Sequence, residues 1–522
     1  MEIDFHPWNE YFKSDKKVLK QLKKIRVNDA DSEFNQDINI IEGSFVAPLG
    51  VGYNKFNKAT VSGLVSGFVQ YLDSIKTNCS KFNVLLAHDG SNDQLKELLK
   101  DMGQVLINAG INVHLFLENE PVAKNFALYS LKQTKDINIL FYFSRYTEKF
   151  NDYALSLFNT NGQQIGLNFI EKIFEFYKSL NIFEVKKSND DFIYLKTDLL
   201  QKEFSNELTK LKIRSNDVQK LTFGVYTYNN SVNLVKKIFG SIDAPYILIN
   251  KIRFINESTI LLFKNKNVFK NSYIFVLNED CTNVDVFACS YKNIYKKINI
   301  ENLWFMYINF YSTMTQIMNK KPMFEKLKIS DFSNVHFQKE NTVFKQNIIK
   351  ESLITKEKDE QLYLQINEDG KAYTNLENFN HYNSLITLTL FTEMMNYYAT
   401  QNIDLVSKMN NNMETRNITP VESFAMDLDR SLLISLIDIL QKSDSINDKL
   451  ITKKYLMNNI KNTEQQFLIK CQFSSTEWMG LKFNKMSDEL IVYLQNNQLS
   501  SQINVFKKYF HKIIKQISNK DN

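Results

Sequence analysis

The chain has 522 residues, 43% of them hydrophobic and 23% charged, and its 64 Lys and Arg against 58 Asp and Glu give a net charge of +6. That length exceeds what one hydrophobic core supports and predicts several domains of roughly 100–200 residues each. The chain has no run of about 18 apolar residues to make a spanning helix, and no basic stripe interleaved with aromatics of the kind that binds nucleic acid, so neither a membrane nor a nucleic-acid partner is expected.

In chain order, the first residues carry acids and Trp8 instead of a basic-then-apolar pattern, so no secretory signal is expected. The segment to about Asp37 reads as an amphipathic helix, with Leu19, Leu22 and Ile25 at helical spacing. A second helix is predicted over Thr60 to Leu72. Strand, helix and strand follow at Asn83–Asp89, Asp93–Ala109 and Asn112–Leu117, then an apolar run at Ile137–Phe143. Short strands alternating with helices predict a parallel α/β layer. The pattern recurs with a strand at Leu221–Tyr226, a helix at Val232–Phe239 and a strand at Ser272–Leu277. Helices are then predicted at Leu303–Met318 and Ser384–Tyr398, with charged residues between, at Glu351–Glu360, read as a loop or helix end. The last hundred residues read as an α+β module: a helix near Leu432–Leu440 and strands at Gln466–Gln472 and Glu489–Leu494.

Four scattered cysteines (Cys79, Cys281, Cys289, Cys471) form no CxxC pair, so neither a disulfide framework nor a zinc site is expected, and a reducing cytoplasm fits. Glycine is scarce, 14 of 522, against a usual share of about 7%. Loops that cradle phosphate need glycine where backbone approaches an anion or takes positive φ, so a phosphate-handling chain this poor in glycine should have lost some of them.

A series of short colinear segments resembles the α-D-phosphohexomutases, the phosphoglucomutase/phosphomannomutase superfamily, in its long-N-terminus branch. Leu49-Gly-Val-Gly-Tyr-Asn54-Lys-Phe-Asn57 resembles L-G-x-G-x-N-R-M-N, with Val46 standing where that family has a phosphate-binding arginine. Val84-Leu-Leu-Ala-His-Asp89 resembles V-V-I-G-Y-D-S-R, with Asp89 kept and the following arginine gone. Phe143-Ser144-Arg145-Tyr146-Thr147-Glu148-Lys149-Phe150-Asn151-Asp152-Tyr153 is similar to the phosphoserine loop A-S-H-N-P-K-E-Y-N-G-Y, and Thr160–Ile165 to the D-G-A-Q-I after it. Tyr226–Val232 resembles Y-T-P-L-H-G-V, and Asn278–Val284 lies on the metal loop N-D-P-D-A-D-R. Thr342–Lys345 resembles T-G-F-K, Ile366–Asp369 lies near the sugar loop F-E-E-S, and Gln472–Glu477 resembles the phosphate loop R-P-S-G-T-E-P-K.

The resemblance implies an α/β protein. Three similar mixed α/β-layer domains (1–205, 206–305, 306–420) would precede a C-terminal α+β domain (421–522), all arranged around a central cleft. It places Ser144 on the serine that carries the phosphoryl group, with Arg145 beside it as a catalytic candidate able to neutralise phosphate. The three metal ligands become Glu279, Cys281 and Asn283, with Asp280 and Asp285 as substitutes if the loop re-registers. Lys345, Glu368, Ser474, Thr476 and Lys482 fall on the substrate- and phosphate-binding positions.

Mg²⁺ wants an octahedral set of oxygens, which one glutamate, a thiol and an amide supply badly. Phosphoryl transfer depends on positioning and on charge neutralisation, so the lost arginines and aspartates weigh more than the retained serine. Three readings stand. The first is a catalytically impaired protein of carbohydrate metabolism that binds a hexose phosphate or a partner. The second is an active divergent mutase working through a phosphoserine at Ser144 with Mg²⁺, and the third a non-catalytic scaffold without cofactor. Oligomeric state is left open.

Overall fold

A computed structural model of the chain describes residues 5–28, 34, 36–146, 151–214, 220–256, 258–262, 273–291, 294–318, 323–324, 326–330, 345–349, 362–367, 369–379, 381–415, 421–428, 430–457, 466–474, 476–484, 489–496 and 502–518. The chain divides into two compact units, described separately below. The first is Met1–Glu207 with Thr227–Ser241 and Asn278–Cys281, and the second is Leu208–Tyr226, Ile242–Leu277 and Thr282–Asn522.

The first unit is built on a seven-stranded sheet. Its strands are β1 (Asn39–Ile41), β2 (Ser44–Pro48), β3 (Asn83–His88), β4 (Asn112–Leu115), β5 (Ile139–Arg145), β6 (Asp152–Asn159) and β7 (Ile193–Tyr194), in the order β1-β2-β6-β5-β3-β4-β7. The strands β5, β3, β4 and β7 run parallel, as the alternating pattern predicts. Strands β1, β2 and β6 add an antiparallel edge, so the layer is mixed.

Alternation along the central strands assigns their two faces. Val84, Leu86, Phe141 and Phe143 join a core made with helices Lys58–Ser74, Asp93–Asn108 and Leu167–Lys178. Leu85, Ala87, Leu140 and Tyr142 are equally buried on the other face. Helices Lys124–Gln133 and Thr197–Thr209 pack together near that face through Phe126, Tyr129 and Phe204. A strand covered on both faces needs the near-continuous apolar run seen in the sequence.

Local signals set the helix ends. Asn57 caps helix Lys58–Ser74, its side chain accepting from the N–H groups of Ala59 and Thr60 while Thr60 returns a bond to the Asn57 N–H. Where one N-terminal helix to about Asp37 is expected, the described residues show a break between helix His6–Tyr11 and helix Lys16–Asn28. The carboxylate of Asp15 accepts the N–H groups of Lys17 and Val18, and an aspartate that satisfies a new helix start in this way ends the previous one.

The second unit contains three main sheets. Strands β8 (Phe223–Tyr226), β9 (Tyr246–Leu248), β10 (Ile252–Asn256), β11 (Thr259–Leu262), β12 (Tyr273–Leu277), β13 (Val284–Tyr291) and β14 (Ile294–Lys297) form a mixed sheet in the order β10-β11-β14-β13-β12-β8-β9. A smaller mixed sheet, β16-β15-β17-β18, uses β15 (Lys326–Ser330), β16 (Lys345–Ile349), β17 (Tyr363–Ile366) and β18 (Ala372–Thr374). Nearby, the indole of Trp304 on helix Ile300–Met318 donates to the Gly370 carbonyl at 2.8 Å and packs on Phe391 of helix Ser384–Thr400.

The C-terminal sheet is wholly antiparallel, in the order β19-β25-β24-β23-β22, from β19 (Glu422–Asp427), β22 (Lys453–Met457), β23 (Gln466–Gln472), β24 (Trp478–Asn484) and β25 (Glu489–Gln495). A short hairpin, β20 (Ser445–Ile446) with β21 (Lys449–Leu450), lies between β19 and β22 in the chain. Helices Arg430–Lys442 and Ile503–Ser518 bury Leu436, Leu440, Phe506 and Phe510 in one core with the sheet. The fold class is therefore α/β with three mixed sheets followed by an α+β module. Among the described residues no helix is long and apolar enough to cross a membrane.

Candidate functional site

Ser144 and Arg145 are the last two residues of β5, paired across to Ala154 and Tyr153 of β6. What holds this strand end is Asp89, directly after β3. Its N–H donates to the Phe143 carbonyl at 3.1 Å, one carboxylate oxygen accepts the Arg145 N–H at 2.8 Å, and the other accepts both the N–H and the hydroxyl of Ser91 at 2.9 and 2.7 Å. Asp89 is 7% exposed, so these bonds offset the cost of burying its charge. His88 is a structural neighbour: its Nδ1 accepts the Gly90 N–H at 3.1 Å, which leaves Nε2–H to donate to the Asn119 carbonyl at 3.2 Å.

The loop Asn278–Cys281 belongs to the same unit. The guanidinium of Arg145 reaches it, Nη1 lying 3.3 Å from the Glu279 carboxylate while Nη2 donates to the Ser91 carbonyl at 3.4 Å. Two amide side chains fix the loop backbone, Asn230 donating to the Glu279 carbonyl at 2.7 Å and Asn125 to the Cys281 carbonyl at 2.6 Å. The Cys281 N–H closes the turn on the Asn278 carbonyl at 3.2 Å, and Cys281 itself takes a left-handed φ of 55°.

The electrostatics follow from burial. Glu279 is pushed above the ordinary glutamate value by burial, against the pull of Arg145 and with help from the Asp89 and Asp280 charges. Burial pushes the Cys281 thiol up to about 12, so at neutral pH it is a protonated group and not a thiolate. Tyr142, buried beside these acids with its hydroxyl donating to the Val122 carbonyl at 2.9 Å, is held well above the usual phenol range by burial first. Lys124 is lowered by burial against the attraction of Asp280 and Glu42, and its ammonium lies 5.1 Å from the Phe158 ring centre.

The residues read as a metal set do not fit a hard dication. Glu279 is engaged by Arg145 and Cys281 is a neutral buried thiol. Asn283, counted with the second unit, turns its side-chain oxygen onto the Val284 N–H at 2.9 Å. Asp285, the proposed substitute, pairs with Lys297 at 2.8 Å. Asp280 lies near Lys124 and Glu279 and adds negative charge to both. Among the described residues no group of three or more His, Cys, Asp or Glu side chains is placed to hold a metal ion.

The remaining candidates lie in the second unit. Ser474 Oγ accepts the N–H groups of Thr476 and Glu477 at 3.3 and 3.0 Å, which makes a tight turn, and Lys449 lies 3.6 Å from the Glu477 carboxylate. Lys482 sits on β24, paired to Leu468 and Ile491. Lys345 begins β16 opposite Lys326, and Glu368 lies outside the described residues, as does the serine-loop stretch 147–150. The structure therefore brings Ser144, Arg145, Glu279, Asp280 and Cys281 into one unit. Sequence reasoning did not single out Ser91, Lys124, Asn125 or Asn230 as parts of this site; Ser91 and Asn230 fall within stretches that have a family counterpart, and none of the four stands in a spacing that announces its partner.

No protein-family model matches the chain, and no curated protein matches it by sequence. Solved structures do match its fold. A phosphoglucomutase/phosphomannomutase family protein from Burkholderia thailandensis is 11% identical, with a TM-score of 0.59 over 91% of this chain and 97% of that one. The phosphoglucomutase parafusin from Paramecium is 10% identical, with a TM-score of 0.60 over 91% of this chain and 97% of its own. The chain therefore has the fold of these phosphoglucomutase and phosphoglucomutase/phosphomannomutase family structures, as the colinear motifs anticipate.

Proposed function

We propose that this is a phosphohexomutase-fold protein of carbohydrate metabolism that binds a hexose phosphate and has lost most or all mutase activity. The observation that carries the reading is the 3.3 Å ion pair between Arg145 and Glu279. It ties up the one carboxylate left among the three aligned ligand positions, and it commits the guanidinium next to Ser144. Two neighbours of the same fold are described as phosphoglucomutase or phosphoglucomutase/phosphomannomutase family proteins, which supports a hexose phosphate as the ligand class. On this reading the chain keeps the four-domain plan of 1–205, 206–305, 306–420 and 421–522, with Ser474, Thr476, Lys482, Lys345 and Glu368 as contacts for the sugar and its phosphate. The bound Mg²⁺ of an active mutase would supply charge neutralisation at the transferring phosphoryl group, and the residues present do not hold it.

The second reading, an active divergent mutase, is favoured by the placement of Ser144 at a half-buried strand end beside a fixed guanidinium. One experiment separates the two. Purified chain is assayed with Mg²⁺ for interconversion of glucose 1-phosphate and glucose 6-phosphate, with Ser144→Ala as the control, and in parallel titrated with each sugar phosphate by calorimetry. Binding with no turnover above the control supports the proposal. Turnover lost in Ser144→Ala establishes the active enzyme, and absence of binding establishes the scaffold.

A further inference from the structure

The disagreement between this site and a divalent cation has a specific physical form. The charges of Asp89 and Asp280 bear on the Glu279 carboxylate, where the β3 and β5 strand ends meet the 278–281 loop. Two cations built into the chain meet them: Arg145 on Glu279 and, by its charge, Lys124 towards Asp280. Arg145 is anchored twice, its main-chain N–H on Asp89 at 2.8 Å and its guanidinium between Glu279 and the Ser91 carbonyl. A planar guanidinium held on a carboxylate and a carbonyl engages two oxygen donors of the kind a hard ion would take.

We propose that Arg145 is the resident cation of this site: its guanidinium supplies, as part of the chain, the positive charge that the resemblance assigns to a divalent ion at the 278–281 loop, so that the protein takes no such ion until the guanidinium is removed. The inference rests on the functional reading above and sharpens it. Any phosphate ester held beside Ser144 is bound without a divalent cation, and chelators leave that binding unchanged.

The test uses the full chain and the metals alone. Thermal unfolding of the wild type is measured in EDTA and in millimolar Mg²⁺ or Mn²⁺, and Mn²⁺ binding is followed by its electron paramagnetic resonance signal. The variants are Arg145→Gln, Arg145→Lys and Arg145→Gln combined with Glu279→Gln. The wild type and Arg145→Lys are expected to show no bound Mn²⁺ and no metal-dependent shift. Arg145→Gln is expected to melt lower and to regain roughly 2–4 °C as Mn²⁺ takes the vacated Glu279 carboxylate. The double variant is expected to lose that response. Stoichiometric Mn²⁺ on the wild type, removed by Glu279→Gln alone, overturns the proposal. So does an Arg145→Gln protein that folds but responds to Mn²⁺ no more than the wild type. If Arg145→Gln does not fold, the wild-type and Arg145→Lys titrations decide. Failure to bind any hexose phosphate in EDTA would defeat the functional reading while leaving the metal result standing.

Discussion

The side-chain amide of Asn125 donates to the carbonyl of Cys281 at 2.6 Å, in a setting where both residues are buried. That bond holds the 278–281 loop onto the N-terminal turn of helix Lys124–Gln133, with Cys281 in a left-handed conformation. Asn125→Ala leaves a buried carbonyl without this donor, and a loss of about 1–3 kcal/mol in unfolding free energy is expected by urea denaturation. The Cys281 thiol is buried and shifted to about 12, so maleimide labelling of the native protein should spare it while modifying the exposed Cys289. In Asn125→Ala, labelling of Cys281 should become faster. Equal labelling rates in the two proteins would show that the amide does not secure the loop.

Val46 stands where the resembled family has an arginine, and it is completely buried, paired to Ala154 of β6 and Asn39 of β1. Restoring the arginine is therefore not a repair. Val46→Arg places an unpaired guanidinium in the sheet interior, and a loss of more than about 4 kcal/mol is expected. Circular dichroism and the yield of soluble protein check this directly; a fully stable Val46→Arg would mean that the sheet opens to solvent at this strand.

Gly67 lies where helix Lys58–Ser74 meets helix Leu167–Lys178. A Cβ there would sit 2.6 Å from the Ile173 carbonyl oxygen and 2.9 Å from the Tyr177 nitrogen. Alanine is the better helix former by about 1 kcal/mol, yet backbone cannot yield at such distances. Gly67→Ala should destabilise by about 1–3 kcal/mol, read as a lower denaturation midpoint.

His88 and His114 are both held below the ordinary imidazole value of 6.5, burial being the larger cause in each. Around His88 the Asn119 carbonyl, Asp89 and Asp93 oppose the shift while Lys96 adds to it. The unfolded chain thus binds protons that the native state refuses, so stability is complete above pH 6.5 and falls as pH drops from there towards the depressed native values. Across that window each such histidine contributes a slope approaching about 1.4 kcal/mol per pH unit. Urea unfolding at stepped pH should show this slope, and His88→Gln should reduce it. An unchanged slope in the variant would assign the acid sensitivity elsewhere.

Much of the fold was legible because it rests on local periodicity. The central strands at Asn83, Asn112 and Ile139 and the helices at Asp93 and Ser384 announce themselves through apolar spacing within a dozen residues. The split N-terminal helix was not legible in that way, since Asp15 serves as a cap instead of an interior residue only through its own backbone contacts. The antiparallel edge of the first sheet was missed because β1 and β2 are short and carry no helix between them.

The sequence by itself determined that short segments resembling the phosphohexomutase motifs stand in order, with other residue types at most of the resembled cationic and metal-ligating positions; that follows from residue identity and needs no geometry. It left Arg145 without an assigned partner, because the chain carries many acids and no spacing selects one of them. Only the tertiary structure set Glu279 beside the Arg145 guanidinium, since the strand end and the loop are brought together by Asp89, Asn125 and Asn230 through bonds between residues far apart in the chain. An ion pair of this kind is set by a distance of a few ångströms, because Coulomb attraction and hydrogen bonding decay over that length, and no spacing in the sequence encodes it.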